Sequence, residues 1–336
     1  MLKYLLSALV AFVLALILGP ILIPLLRKMK FGQTEREEGP ASHKVKQGTP
    51  TIGGIIFLFP IVISSLAFGI PNVEFLLPAL LAMLSFGLIG FLDDFIKVSM
   101  KRNLGLRAYQ KFGAQFIMAL AFAIWAYNSP NIGPILYLPI SGNEWDMGIW
   151  YIPFVVFMIL AETNAVNLID GLDGLSTSVT SVYTFAMIIV FSLLSTQADK
   201  LGDFEYSASL NGMAVFGSAT FGALIGFLWF NAYPAKVFMG DTGSLALGGV
   251  VSILAICSRS ALLLPIMGIC YVATALSVVL QVSYFKLTKG KRIFKMAPLH
   301  HHFELCGMHE TKVVSMYTII TMAACGLCLI SYFVSR

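Results

Sequence analysis

The chain has 336 residues, of which 58% are hydrophobic and only 12% are charged. A soluble globular protein carries about twice this fraction of charged residues, so the composition excludes a water-soluble domain of ordinary type. The net charge of +5 is modest. Because the basic residues lie between apolar segments, this charge indicates membrane topology and gives no argument for nucleic-acid binding.

Apolar segments of roughly 17 to 25 residues predict membrane-spanning helices, because about 20 such residues cross a bilayer as a helix. In chain order, ten predicted spans lie near 2–26, 50–69, 74–95, 107–128, 150–168, 174–196, 207–229, 240–257, 261–287 and 312–334. Between the fourth and fifth spans, NIGPILYLPISGNEWDMG alternates apolar and turn residues and predicts a small surface hairpin. We therefore expect an all-α polytopic membrane protein with residues 1–336 in a single domain.

The lysines and arginines predict the orientation of this bundle. The connections after the first, third, fifth, seventh and ninth spans, with their flanks, hold 18 of the 22 Lys and Arg residues. Cytoplasmic connections carry an excess of these residues. Both termini are therefore expected to be extracytoplasmic, and a site built from the odd-numbered connections would form a cleft on the cytoplasmic face.

An acidic pair, Asp93 and Asp94, follows an apolar run at the predicted cytoplasmic end of the third span. Lys97 shares a helical face with Asp93, since residues four apart are neighbours on a helix. A solvated acidic pair with one ion pair is the simplest interpretation. Against it, the C-terminus of a helix carries partial negative charge, so two aspartates there need a metal ion or basic side chains to compensate them.

Two glycine-rich connections on the same predicted face carry further carboxylates. NLIDGLDGLS holds Asp170 and Asp173, and VFMGDTGS places Asp241 at the start of the eighth span. An ordinary turn explains the first, and capping of the eighth helix by Asp241 or Thr242 explains the second. Carboxylates beside glycines also suit Mg²⁺ and a phosphate-bearing ligand that approaches the backbone closely.

The segment PLHHHFE places three consecutive histidines before Glu304. Neighbouring residues on a helix diverge by about 100°, so one or two of these rings are expected to face a shared site. Histidine suits phosphate or sugar contacts and proton transfer near neutral pH, whereas a histidine zinc site usually needs wider spacing. Together with the carboxylates and lysines, the histidines favour magnesium-dependent phosphoryl chemistry.

Five segments, SHKVKQGTPTIGG, FLDDFIK, NLIDGLDGL, FMGDTGS and PLHHHFE, resemble in sequence and order the signatures of the polyprenyl-phosphate N-acetylhexosamine-1-phosphate transferases. The resemblance covers essentially the whole chain. It implies transfer of phospho-MurNAc-pentapeptide from UDP-MurNAc-pentapeptide to undecaprenyl phosphate, with formation of lipid I and release of UMP in peptidoglycan synthesis. It also implies Mg²⁺, a homodimer, and a place in the bacterial cytoplasmic membrane with the active site facing the cytoplasm.

The same resemblance assigns roles to single residues. Asp241 is the expected Mg²⁺ ligand, Asp93 the base that deprotonates the lipid phosphate, and Asp94 its supporting carboxylate, although the last two roles could be reversed. His300 completes the catalytic set. The substrate-binding set comprises Lys46, Thr51, Asn167, Asp170, Asp173, Asn231, Phe238, Gln281, His301, Lys97 and Lys111. Within it, Lys46 is expected at the diphosphate, Phe238 against uracil, and Lys97 and Lys111 at the lipid phosphate.

Other functions fit parts of the sequence. Transfer of GlcNAc 1-phosphate from UDP-GlcNAc to a polyprenyl phosphate uses the same chemistry, although the uninterrupted PLHHHFE favours the muramoyl-pentapeptide. A cation-coupled transporter also uses membrane carboxylates, but usually near the bilayer midplane, whereas these lie at one face. Within the transferase reaction, direct attack by the lipid phosphate is favoured over a covalent aspartyl intermediate, and both stay open.

Overall fold

The structure is a computed structural model that describes residues 1–29, 48–70, 73–100, 105–138 and 143–334. Within these residues the chain is almost entirely helical. The long helices are α1 (Leu2–Lys28), α2 (Ile55–Gly69), α3 (Val73–Ser99), α4 (Ala108–Asn128), α5 (Tyr151–Ile169), α6 (Leu175–Lys200), α7 (Phe204–Asn231), α8 (Gly240–Cys257), α10 (Ile269–Leu287) and α12 (Glu310–Val334). Two short helices, α9 (Leu264–Met267) and α11 (Leu299–Leu305), lie between them.

Eight of the described helices are long and apolar enough to cross a membrane. The apolar helix α2 is shorter, with 15 residues, and α4 does not belong to the eight. The long helices occupy the positions expected from the apolar segments, so the prediction of an all-α polytopic membrane protein is confirmed.

The ninth predicted span, 261–287, differs from the structure because it is divided into three parts. A 3-10 turn at Ala261–Leu263 and the short α9 precede α10, which begins after Gly268. Proline in the first turn of α9 favours a helix start there, and glycine commonly ends a helix. These two residues explain why one apolar run folds as separate helices.

The predicted hairpin between α4 and α5 is confirmed. Strands β1 (Ile135–Tyr137) and β2 (Glu144–Asp146) pair antiparallel, with Leu136 opposite Trp145. The backbone oxygen of Arg259, just after α8, accepts a hydrogen bond of 2.9 Å from the backbone N–H of Tyr137 in β1. The hairpin is thereby fastened to the end of the bundle opposite the start of α8.

Helix α8 forms the centre of the packing around the site. All its residues from Thr242 to Cys257 are buried, and it contacts both α3 and α5. Glycines permit this approach, since a Cβ on Gly90 would lie 2.0 Å from the backbone oxygen of Asp241 and one on Gly248 would lie 2.4 Å from Cα of Thr163. Small residues allow close backbone contact between membrane helices. The Gly90 contact holds α3 directly against the first turn of α8.

We expect Gly90→Ala to destabilise the protein, because the new methyl group would push α3 away from α8. Overpacking of this kind costs about 1–3 kcal/mol. Gly113→Ala in α4 is the matched control, since, apart from the neighbouring backbone of its own helix, no described atom lies within 4 Å of the place that its Cβ would occupy. That control should be neutral or slightly stabilising, because alanine favours a helix over glycine by about 1 kcal/mol. Thermal unfolding in detergent measures both, and equal melting temperatures would contradict the close-contact argument.

Candidate active site

Three carboxylates from two helices meet where α3 approaches the start of α8. Asp93 and Asp94 come from α3, Asp241 is the second residue of α8, and one oxygen from each lies within 4.8 Å of the others. Helix α3 continues to Ser99, so the acidic pair lies more than one turn before the helix end and not at its end as expected. The side chains of the pair are only 4% exposed, so their charge requires nearby partners.

Two lysines supply these partners. Lys97 Nζ lies 2.6 Å from Asp93 Oδ2, 3.7 Å from Asp94 Oδ1 and 2.8 Å from Asp241 Oδ2. Lys111 Nζ of α4 lies 2.7 Å from Asp241 Oδ2 and 3.8 Å from Asp93 Oδ2. The predicted pairing of Lys97 with Asp93 is therefore confirmed. If all are ionised, the carboxylates exceed the ammonium groups by one negative charge, and that excess suits a further cation.

Hydrogen bonds distinguish the two neighbouring aspartates. Asp94 Oδ2 accepts from the backbone N–H of Thr242 at 2.9 Å and from its hydroxyl at 2.8 Å. Asp93 Oδ1 instead accepts from the backbone N–H of Leu106 at 2.8 Å, just before α4. Asp94 thus holds the first turn of α8, whereas Asp93 keeps Oδ2 directed at the lysines. The alternative that Asp241 or Thr242 caps α8 is wrong, since both residues lie inside the helix, whose N-cap residue is Met239. The side chain that binds the first turn is Asp94.

Asn167 connects α5 to the cluster of three carboxylates. Its Nδ2 donates to Asp241 Oδ1 at 2.8 Å and to the hydroxyl oxygen of Ser244 at 2.8 Å. The hydroxyl of Ser244 donates in turn to the backbone oxygen of Gly240 at 3.0 Å. Both oxygens of Asp241 are therefore engaged, one by an amide and the other by two lysines. Asp241 is the residue on which α3, α4 and α5 converge.

The segment before α2 lies against the segment before α8. Residues 50–54 pair through backbone hydrogen bonds with residues 238–239, which holds the half-buried Phe238 beside them. Gly240 adopts a left-handed conformation with φ +69°, and a Cβ there would lie 2.5 Å from Asp94 Oδ2 and 2.6 Å from Thr51 Oγ1. Only glycine fits this position without strain. The structure thus places Thr51 next to the acidic cluster.

The loop between α5 and α6 brings a further carboxylate near the cluster. Burial raises the pKa of the Asp170 carboxyl well above its usual range, and the negative charges of Asp241, Asp94 and Asp173 raise it further. A cation bound among these carboxylates would oppose that effect and favour the ionised form of Asp170. The loop and the three-carboxylate cluster therefore belong to one electrostatic unit.

Two histidines and a glutamate fix this loop. A Cβ on Gly171 would lie 2.4 Å from His300 Nε2 and 3.1 Å from His301 Nε2, so both rings lie against the loop. The backbone N–H of Asp173 donates to Glu310 Oε1 at 2.6 Å, at the start of α12. The third histidine, His302, instead accepts a hydrogen bond of 3.1 Å at Nδ1 from the backbone N–H of Lys295, which lies before α11. Two of the three rings therefore lie against the loop, and their contact with a substrate stays a prediction.

Two described residues of the predicted substrate-binding set do not join the carboxylates. Asn231 Oδ1 accepts from the Thr177 hydroxyl at 2.7 Å, and its Nδ2 donates to a backbone carbonyl six residues later. Gln281 Oε1 accepts two backbone N–H groups, from residues 293–294. Both amides bind within the protein, and their contact with substrate stays a prediction. Lys46 lies outside the described residues.

Two polar residues beside the site were not expected from the sequence. Glu310 lies 137 residues from the loop that it binds, and no local pattern indicates such a contact. Gln115 follows Lys111 by four residues on α4, and its Oε1 accepts a hydrogen bond of 2.9 Å from Asn164 of α5. A glutamine four residues after a lysine in an apolar helix was the available signal.

The three carboxylates fit a magnesium ion. Mg²⁺ prefers six oxygen ligands at about 2.0–2.1 Å, so ligands on opposite sides are about 4.2 Å apart. Oxygens that already lie within 4.8 Å of one another need only small movements to reach such an ion. Mg²⁺ is usually held by one or two carboxylates together with water and substrate phosphates. Asp241, at 18% side-chain exposure, is the carboxylate best placed to share an ion with a ligand from outside.

Comparison with known families agrees with this geometry. The family model of glycosyl transferase family 4 matches residues 76–259, more than half of the chain, and this region contains all three clustered aspartates and both lysines. The chain belongs to glycosyl transferase family 4. The family resemblance expected from the five sequence segments is thereby confirmed.

Several curated relatives of this family member are similar over nearly its whole length. A protein of Clostridium novyi (strain NT) named phospho-N-acetylmuramoyl-pentapeptide-transferase is 51% identical over 321 residues, which cover 95% of this chain and 94% of the relative. Proteins with the same name from Desulfitobacterium hafniense (strain DSM 10664 / DCB-2) and Clostridioides difficile (strain 630) are 48% and 46% identical, and each alignment covers 97% of both chains.

Proposed function

We propose that this chain is a phospho-N-acetylmuramoyl-pentapeptide-transferase. It transfers phospho-MurNAc-pentapeptide from UDP-MurNAc-pentapeptide to undecaprenyl phosphate, which forms lipid I and releases UMP in peptidoglycan synthesis. The observation that carries this proposal is the 51% identity, over 95% of the chain, to a relative that bears this name. The apolar bundle also suits the reaction, because a lipid acceptor can reach a polar cluster at the membrane surface without leaving the bilayer.

We propose that the reaction depends on Mg²⁺ and that Asp241 is its main protein ligand. Asp94 and Asp93 offer further oxygens within 4.8 Å. When bound, Mg²⁺ would neutralise part of the charge of the diphosphate. Lys97 and Lys111, which contact Asp241 Oδ2 at 2.8 and 2.7 Å, are then proposed to bind phosphate oxygens of the two substrates.

Asp93 is proposed as the base for the lipid phosphate. Its Oδ2 lies 2.6 Å from Lys97 Nζ and 3.8 Å from Lys111 Nζ, the two cations proposed to bind phosphate, so this oxygen is next to the place where the lipid phosphate would bind. In direct attack, an oxygen of the lipid phosphate bonds to the sugar-bearing phosphorus of UDP-MurNAc-pentapeptide. The bond from that phosphorus to the bridging oxygen breaks, and UMP leaves. A phosphosugar trapped on the protein after rapid quenching would instead support a covalent intermediate.

The remaining substrate contacts are proposals of the same kind. Phe238 offers a ring face to uracil, and Lys46 is proposed at the diphosphate. The loop between α5 and α6, with its two histidines, is proposed to bind the nucleoside and sugar portions. Further proposed substrate contacts are Thr51, Asn167, Asp170, Asp173, Asn231, Gln281, His300 and His301.

We also propose that the chain acts as a single domain in the bacterial cytoplasmic membrane, with its active site on the cytoplasmic face and as a homodimer. The support for the orientation is that the clustered aspartates lie at the third and seventh connections, which belong to the odd-numbered set that holds 18 of the 22 Lys and Arg residues. Transfer of GlcNAc 1-phosphate is not favoured, because the relatives carry the muramoyl-pentapeptide name. No observation favours a transporter.

A UMP-release assay on the purified full-length protein tests the proposal. We expect UMP only when UDP-MurNAc-pentapeptide, undecaprenyl phosphate and Mg²⁺ are all present, because the phosphate acceptor and the charge-neutralising ion are both required. UDP-GlcNAc in place of the muramoyl substrate is the control donor. UMP release from UDP-GlcNAc at an equal rate would contradict the proposed donor, and release without lipid would contradict the proposed acceptor.

A further inference from the structure

A cavity of about 500 Å³ lies between α4 and α5, next to the clustered aspartates. Its lining consists of Ala108, Tyr109, Lys111, Phe112, Gln115 and Asn164. Lys111 belongs both to this lining and to the cluster, where its Nζ contacts Asp241 Oδ2 at 2.7 Å. The cavity is therefore continuous with the candidate active site through one cation.

Polar side chains lead from the cluster into the cavity along both helices. On α4, Gln115 follows Lys111 by one helical turn, and on α5, Asn164 precedes Asn167 by three residues. Lys111 and Asn167 both bind Asp241, and Asn164 Nδ2 donates to Gln115 Oε1 at 2.9 Å. The four side chains thus form two short polar rows, Lys111 with Gln115 and Asn167 with Asn164. Each row contacts Asp241 at one end, and the two rows contact each other at the other end.

Gln115 has an unused donor at the end of these rows. The residue is 1% exposed, and its Nε2 has no hydrogen-bond partner within the described part of the chain. A buried amide N–H without a hydrogen-bond partner lowers the stability of a protein by about 1–3 kcal/mol. Such a group is easier to explain where a bound ligand accepts its hydrogen bond. The backbone rise from Lys111 is about 6 Å, which is short enough for one phosphate group to contact both side chains.

The cavity also has an apolar side, which is formed by residues at the start of α4. Towards the outside, Tyr109 and Phe112 line the cavity and are 67% and 54% exposed, as expected for side chains that face lipid. The cavity thus presents a cation and an amide donor beside an apolar wall of Ala108, Tyr109 and Phe112. That arrangement is complementary to an amphiphilic phosphate monoester.

We propose that this cavity binds the phosphate end of the polyprenyl phosphate acceptor, with Gln115 Nε2 donating to a phosphate oxygen, Asn164 orienting the Gln115 amide, and the first isoprene units against the apolar wall. The inference rests on the proposed transferase function and adds Gln115 and Asn164 to the acceptor site. A soluble phosphate would gain nothing from the apolar wall, so a lipid phosphate fits the cavity better than a free one.

Two variants of the full-length protein test the role of Gln115. Gln115→Glu keeps the acceptor oxygen for Asn164 but replaces the free donor by a charge that repels phosphate, and Gln115→Met removes the amide at similar volume. Each should raise KM for undecaprenyl phosphate about 10-fold or more, because a hydrogen bond to a charged group is lost. KM for UDP-MurNAc-pentapeptide should change little. Gln110→Met, at the exposed first turn of the same helix, is the matched control.

Thermal stabilisation by a ligand provides a readout that does not depend on turnover. Farnesyl phosphate should stabilise the wild-type protein more than farnesol or inorganic phosphate does, and both Gln115 variants should lose most of that stabilisation. Equal stabilisation by inorganic phosphate would overturn the lipid assignment. Wild-type KM for the lipid in both variants, or an equal rise of KM for both substrates, would overturn the role of Gln115. If wild-type protein releases no UMP yet farnesyl phosphate stabilises it through Gln115, the transferase proposal fails and the binding site stands.

Discussion

Asp241→Asn should lower the rate of UMP release by about 100- to 1,000-fold, since a bound divalent ion supplies several kcal/mol of charge stabilisation. The substitution preserves shape but removes the charge that Lys97 and Lys111 share at 2.8 and 2.7 Å. Loss of that charge also lowers the affinity for Mg²⁺. Initial rates over a wide range of Mg²⁺ concentration measure both effects, and high Mg²⁺ should not restore the wild-type rate.

Asp203→Asn is the matched control for Asp241→Asn. Asp203 precedes α7, and its Oδ1 accepts a hydrogen bond of 3.1 Å from the backbone N–H of Tyr206, which is an ordinary helix cap. Asparagine caps helices about as well as aspartate, so this variant should keep its rate and its Mg²⁺ requirement. An Asp241→Asn protein that retained Mg²⁺-stimulated turnover would exclude Asp241 as the main ligand.

The sequence was sufficient for features that depend on near neighbours. Long apolar runs predicted the positions of the helices, and spacing along one helix predicted the contact of Lys97 with Asp93. The end of α3 was misjudged, because charged residues after a long apolar run look like the end of a membrane helix. In the structure α3 continues to Ser99, since partners from α4 and α8 compensate its charges.

Contacts between distant parts of the chain were beyond sequence reasoning. Thr242 and Asp94 are 148 residues apart in the sequence, yet two hydrogen bonds join them. These bonds distinguish the surroundings of Asp94 from those of Asp93. The close contact at Gly90 could not be predicted from the sequence either. A glycine in an apolar helix has no visible role until the structure shows the backbone of α8 at 2.0 Å from the place that a Cβ would occupy. Distances of this kind depend on how the helices pack, and one sequence does not contain that information.

Asp93→Asn and Asp94→Asn should both reduce turnover, but in different ways. Removal of a general base lowers the rate by about 100- to 10,000-fold, so Asp93→Asn should lose kcat, bind UDP-MurNAc-pentapeptide almost normally, and not recover at high Mg²⁺. Asp94→Asn weakens the two bonds from Thr242 that hold the first turn of α8, on which Asp241 lies. Its rate should therefore recover in part at high Mg²⁺, and its melting temperature should fall.

Thr242→Val tests whether Asp94 acts by positioning Asp241 and not as a general base, and it leaves every carboxylate in place. Valine has nearly the same shape as threonine but removes the hydroxyl that donates to Asp94 Oδ2 at 2.8 Å, and a bond of this type to a charged group contributes about 1.5–3 kcal/mol. If Asp94 acts by positioning Asp241, Thr242→Val should reproduce the raised Mg²⁺ requirement in milder form and leave the rate at saturating Mg²⁺ near wild type. Wild-type Mg²⁺ dependence in Thr242→Val, together with identical behaviour of the two aspartate variants, would show that the pair acts as one unit. In that case the position of Asp93 Oδ2 beside the two lysines would no longer identify Asp93 as the base.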